Sequence, residues 1–197
     1  MTSAPEAPPG EAELVRGREC AECIVCCIMP TIDRKDIQKL PGMQCRHSLQ
    51  GGCGIYETRP EVCRIFFCGW RRSREFPEDW RPDKSGIFAV LEVNELPQYQ
   101  PLAIILNLVG NPLKIVRRQD FIDLVIRNIR NNVAVYLALP GPPGHQTARV
   151  SLNNPPLMEA ARRSRADVKT VLELLLKKLA AHKFVPYVMD NSGNDVT

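Results

Sequence analysis

Four cysteines fall within eight residues of this chain, in the stretch CAECIVCC from Cys20 to Cys27. Four more follow at Cys45, Cys53, Cys63 and Cys68, and the last 129 residues contain none. Thiols at this density can pair as disulfides, cycle as a redox couple or bind metal. A CxxC unit presents two thiolates to one ion from a tight turn, and tetrahedral zinc takes four ligands at about 2.3 Å. Eight cysteines could therefore fill two such sites. The run Cys20-x2-Cys23-x2-Cys26 also has the three-cysteine spacing of many [4Fe–4S] sites, where a distant cysteine completes the set. The vicinal pair Cys26–Cys27 is expected to point two ways in an extended segment. It then serves two centres, or one cluster larger than a single ion, or leaves a spare thiol.

Composition bounds the choice. The chain has 197 residues, 44% of them hydrophobic and 24% charged, an ordinary globular balance. A chain of this size can bury a core without disulfides. The start, MTSAPEAPPGEAE, lacks the apolar run of a secretory signal. No apolar stretch reaches the ~20 residues of a membrane helix. The expectation is a cytoplasmic protein without a membrane partner, in a compartment that keeps thiols reduced and favours metal over disulfide chemistry. The CxxC has no βαβ context, which argues against a thioredoxin-like redox pair. The formal charge of +4 counts every cysteine as neutral. Two centres, each of four thiolates and a +2 core, would cancel it, so the basic excess is no argument for nucleic acid.

The elements that must position these sulfurs divide the chain. Tails are expected over 1–13 and 191–197, a cysteine-rich module over 14–84 and an α+β domain over 85–190. In the module, TIDRKDIQKL (Thr31–Leu40) reads as a short helix with Ile32, Ile37 and Leu40 on one side. RPEVCRIFFC opens with a proline suited to a helix start and carries Cys63 on that helix. PGMQCRHSLQGGCG is turn-rich. Such a loop-dominated region needs a cross-link, which metal would supply. In the second domain, strands are expected at 86–93, 102–108 and 133–139, with a weaker one at ARVSLN. QDFIDLVIRNIRNN has helical periodicity, with Asp120 as a candidate N-cap. The run from Met158 to Lys183 reads as one long helix. The order β-β-α-β-β-α suggests a small antiparallel sheet with helices on one face.

The stretch GCGIYETRPEVCRIFFC (Gly52–Cys68) adds specificity. With CAECIVCC upstream and the lone Cys45, it resembles the YkgJ-type cysteine-cluster family, a zinc- or iron-chelating CxxCxxCC domain. The residues that carry the resemblance are Cys20, Cys23, Cys26, Cys27, Cys45, Cys53, Ile55, Tyr56, Arg59, Pro60, Cys63, Arg64, Phe66 and Cys68. Ile24 departs from the pattern, where many relatives have glycine. The resemblance covers the module alone. It implies chelation of zinc, of iron or of an iron–sulfur cluster by all eight cysteines. One similar branch, the flagellin lysine N-methylases, is linked to an iron–sulfur centre.

Residues around the sulfurs have roles of their own. Arg59 and Arg64 flank Cys63 and can balance thiolate charge. Between Leu14 and Arg74 there are 11 Lys and Arg against 6 Asp and Glu. Tyr56 and Phe66 are expected to cover the site. His47 is read as a non-ligand, and His145 and His182 are assigned nothing. WRRSREFPEDWRP interleaves arginine with Trp70, Phe76 and Trp80, which could stack on bases. Its acidic residues break the positive run, so it reads as a solvated hinge and a nucleic-acid partner is not expected. No nucleophile–base pair, phosphate loop or cofactor fingerprint is present. The readings that remain are a metal-binding protein whose centre serves structure, storage or partner binding, and an enzyme built on a metal centre. The partner expected is the metal ion, and no protein partner is indicated.

Overall fold

The stretch LAIILNL explains the layering. Ile104, Leu106 and Leu108 join the main hydrophobic core, whereas Ala103 and Ile105 join a small second cluster with Ala134 and Ala138. Alternate side chains of one strand thus feed opposite faces of a sheet. The computed structural model describes residues 14–189, so the tails expected over 1–13 and 191–197 lie outside the described residues.

The chain begins with loops and short elements. A single helical turn, α1 (Val25–Ile28), is followed by the hairpin β1 (Ile32–Asp33) and β2 (Gln38–Lys39). A second hairpin pairs β3 (Ser48–Leu49) with β4 (Gly52–Cys53). Then come α2 (Glu61–Ile65), α3 (Gly69–Arg72) and α4 (Pro82–Ser85). The helix expected over Thr31–Leu40 is therefore a hairpin. Ile32 and Ile37 are five apart, which is not a helical repeat, and the Arg34 N–H donates to the Ile37 carbonyl across the turn at 3.1 Å. Pro60 does cap α2, which carries Cys63.

The second half is a four-stranded sheet in the order β5 (Ile87–Val93), β6 (Leu102–Leu108), β7 (Val135–Leu139), β8 (Ala148–Ser151). Helices α5 (Pro112–Val116) and α6 (Gln119–Arg130) lie between β6 and β7, and α7 (Pro155–Arg163) and α8 (Arg165–Ala180) close the chain. The fold is α+β. The two outer pairings are antiparallel, but β6 and β7 run parallel. The reason is α6: a helical crossover returns the chain to the same end of the sheet.

Two expectations change in detail. Asp120 does not cap α6. It accepts hydrogen bonds from Arg118 and, at 2.6 Å, from the Trp80 indole. The long C-terminal helix breaks at Ser164, whose extended backbone and side chain cap α8 by accepting from the Asp167 N–H at 3.1 Å.

WRRSREFPEDWRP is not a solvated hinge. Trp70, Phe76 and Trp80 are buried in the same core as the sheet, with Trp80 only 1% exposed. Phe76 packs on Trp80, and Trp80 stacks on Phe121 of α6. These rings are core, not stacking platforms. Cys68 and Trp70 belong to this core as well, so it runs without a break across residue 84.

Candidate metal centre

Each cysteine is placed by a short, local device. The CAEC turn closes by a 2.8 Å bond from the Cys23 N–H to the Cys20 carbonyl, with Ala21 held at φ +44°. A non-glycine residue in the left-handed region is costly, and such positions concentrate at functional sites. Cys26 and Cys27 sit on α1. They are helical rather than extended, so their side chains diverge by only about 100°, and the two thiols hydrogen-bond to each other. The Cys45 N–H donates to the Cys27 carbonyl at 2.9 Å. The β3–β4 register sets Ser48 opposite Cys53, and the Ser48 N–H bonds the Cys45 carbonyl at 2.9 Å. Cys63 is carried by α2, and Cys68 caps the start of α3.

Seven of the eight cysteines line one cavity of about 610 Å³; Cys68, behind it, is buried in the core. All eight are free thiols. Burial raises the pKa of Cys20, Cys23 and Cys63 and pushes Cys68 up to about 11. The vicinal pair shares a proton unequally. The hydrogen bond to Cys27 holds Cys26 far above the ordinary thiol range, whereas Cys27, receiving that bond with Lys39 and Arg59 nearby, falls to about 7.

Cations face these sulfurs. The Lys39 side chain is 6% exposed, and its ammonium donates to the carbonyls of Ile28, Leu40 and Met43 at 2.7, 3.2 and 3.1 Å. Burial lowers its pKa, and Cys45, Cys27, Cys26 and Cys63 act to keep it charged. Arg59 and Arg71 both line the cavity. The Nε atoms of both are buried with no hydrogen-bond partner among the described residues. The Arg59 guanidinium lies 3.9 Å from the centroid of the Tyr56 ring.

The structure gathers most of the expected residues and leaves some aside. Arg59 reaches the cavity, but Arg64 is on the exposed side of α2 and outside its lining. Tyr56, at 55% exposed, stands at the rim, and Phe66 lines the wall and packs on Phe88. His47 lines the cavity, and its backbone N–H approaches the Cys45 sulfur at 3.5 Å. Lys39 and Arg71 were not singled out from sequence. Lys39 hides in the charged run RKDIQK, and Arg71 in the arginine-rich run WRRSREFPEDWRP, with no local signal that sets either apart.

Among the described residues, no group of three or more His, Cys, Asp or Glu side chains is gathered so as to hold a metal ion as it stands. The sulfurs ring a cavity instead of meeting at a point. The donor chemistry still suits a soft metal: reduced thiols, one already near neutrality, with cations beside them. Binding would require the remaining thiols to lose protons and the walls to close. No family model, curated protein or solved structure matches the chain.

Proposed function

We propose that this chain is a metal-binding protein that chelates zinc or an iron–sulfur centre through its eight cysteines, as the resemblance to the YkgJ-type family implies. The observation that carries this reading is the convergence of seven cysteines and the cations Arg59 and Arg71 on one cavity. A disulfide framework would not need cations against the sulfurs; anionic thiolate centres do. Among the described residues no helix is long and apolar enough to cross a membrane. We assign the protein to the cytoplasm, where its thiols stay reduced.

Protein purified anaerobically and analysed for metal and acid-labile sulfide tests this. Colourless protein with bound zinc selects zinc, and brown protein with iron and sulfide selects an iron–sulfur centre. Protein that binds neither, before or after reconstitution, overturns the reading.

A second reading, an iron–sulfur-dependent enzyme similar to the flagellin lysine N-methylases, draws on the size and walls of the cavity. At about 610 Å³, with Ile24, Ile32, Ile37, Val62 and Phe66 in its lining, it has the volume and apolar character of a small-molecule site. An iron–sulfur centre bound there would supply electron transfer. The residues of the chain itself would hold the thiolates (Lys39, Arg59, Arg71) and exclude water (Ile37, Phe66).

A further inference from the structure

The short devices that place the cysteines fall into two sets, which touch at the hydrogen-bonded Cys26–Cys27 pair. The first is tied to the sheet core. The buried Arg18 guanidinium donates to the carbonyls of Trp70, Ser73 and Phe76, and the Val15 N–H donates to the Arg71 carbonyl at 2.8 Å. These bonds lay the segment leading into Cys20 alongside α3, which Cys68 caps. Cys26 packs against the same core as Cys68. Cys68 lies within electrostatic reach of Cys20 and Cys23, and Arg71 acts on Cys20 more strongly than Arg59 or the neighbouring Cys27.

The second set is tied to the hairpins. The Cys45 N–H bonds the Cys27 carbonyl, and the β3–β4 register brings Cys53 beside the Cys45 turn. Cys63 lies within electrostatic reach of Cys45, Cys27 and Cys53. Lys39 faces three cysteines of this set, Cys45, Cys27 and Cys63, and reaches Cys26 of the first as well.

We propose that the chain builds two four-cysteine centres that meet at the Cys26–Cys27 peptide bond. Cys20, Cys23, Cys26 and Cys68 hold one, and Cys27, Cys45, Cys53 and Cys63 hold the other. This rests on the metal-binding reading and deepens it. Four thiolates each is the complete set for a structural tetrahedral ion, which leaves neither centre short of a ligand. The vicinal pair is then a shared wall and not a spare thiol.

The test is a cobalt(II) titration of the reduced full chain, followed by thiolate-to-cobalt absorption, with far-UV circular dichroism as a check on folding. The wild type is expected to take up about two equivalents in tetrahedral thiolate sites. Cys20→Ser and Cys45→Ser are each expected to lose about one. Pairs of substitutions then decide the partition. Cys20→Ser with Cys23→Ser should lose no more than Cys20→Ser alone, and Cys20→Ser with Cys45→Ser should lose both. Because Cys20 is exposed, its substitution keeps the test usable if changes at buried Cys68 disturb folding. A wild type that takes up only one equivalent of cobalt in total, lost on substitution of either Cys20 or Cys45, overturns the partition while leaving metal binding intact. Double variants that violate the same-set and cross-set pattern overturn it too. No cobalt binding by the wild type overturns the metal reading itself.

Discussion

Two charged side chains show how much of this molecule turns on single residues. Lys39 spends its ammonium on three carbonyls and stands within reach of four cysteines. Lys39→Met removes the donors and the counter-charge together. The orphaned carbonyls should cost about 2–4 kcal/mol in chemical denaturation, and metal affinity should fall in the same variant. A Glu61→Gln control on the exposed face of α2 should change neither. Asp120 makes the second case. Burial alone would raise its pKa, but the bonds from Arg118 and Trp80 prevail and hold it below the ordinary aspartate value. A depressed folded-state pKa gives stability that is fully present above the ordinary carboxyl range and lost as pH falls through the folded value. Asp120→Asn should therefore lose about 1 kcal/mol near neutrality. It should also flatten the fall in stability below the ordinary carboxyl range, as read from denaturation midpoints across pH.

At the scale of elements, the sheet half was the more legible. The strand LAIILNL and the helix QDFIDLVIRNIR appear where expected: the helix buries one face and writes its period into the sequence, and the strand, buried on both faces, reads as a short apolar run. The break between α7 and α8 was equally written, as the Ser164-x-x-Asp167 spacing that signals a cap, yet the apolar stripe runs through it and masks it. Ser164→Ala should destabilise the chain by about 1 kcal/mol, measured by urea denaturation, and Ser164→Asp should restore most of that loss. The cysteine half was legible as an inventory of donors, not as a shape. Its strands are two residues long, too short to carry a period, and its order comes from side chain–to–carbonyl bonds such as those of Arg18 and Lys39. Such bonds join residues 52 to 58 positions apart in the case of Arg18, and no local pattern announces them.

For the whole molecule, the decisive fact is that the cysteine loops and the sheet share one core. Cys68, Trp70, Phe76 and Trp80 pack with Phe88, Leu106 and Phe121. Gly86, where α4 leads into β5, sits at φ +73°, and a Cβ there would meet the Gly110 Cα at 2.8 Å. Anything that binds the folded state alone stabilises all that unfolds with it. Stripping metal with a chelator should therefore lower the melting temperature of the sheet as well as of the loops. Far-UV and near-UV circular dichroism should report a single shifted transition; two separate transitions would mean that the halves unfold independently. The shared core has one more consequence. The chain contains two tryptophans, and both lie in this core. Trp70 is two residues from Cys68 and has a guanidinium 5.2 Å from its ring centroid, while Trp80 is closed from water in the same core. The protein thus carries its own optical gauge: its ultraviolet emission should shift or dim as the thiols beside Trp70 change state, with no label attached.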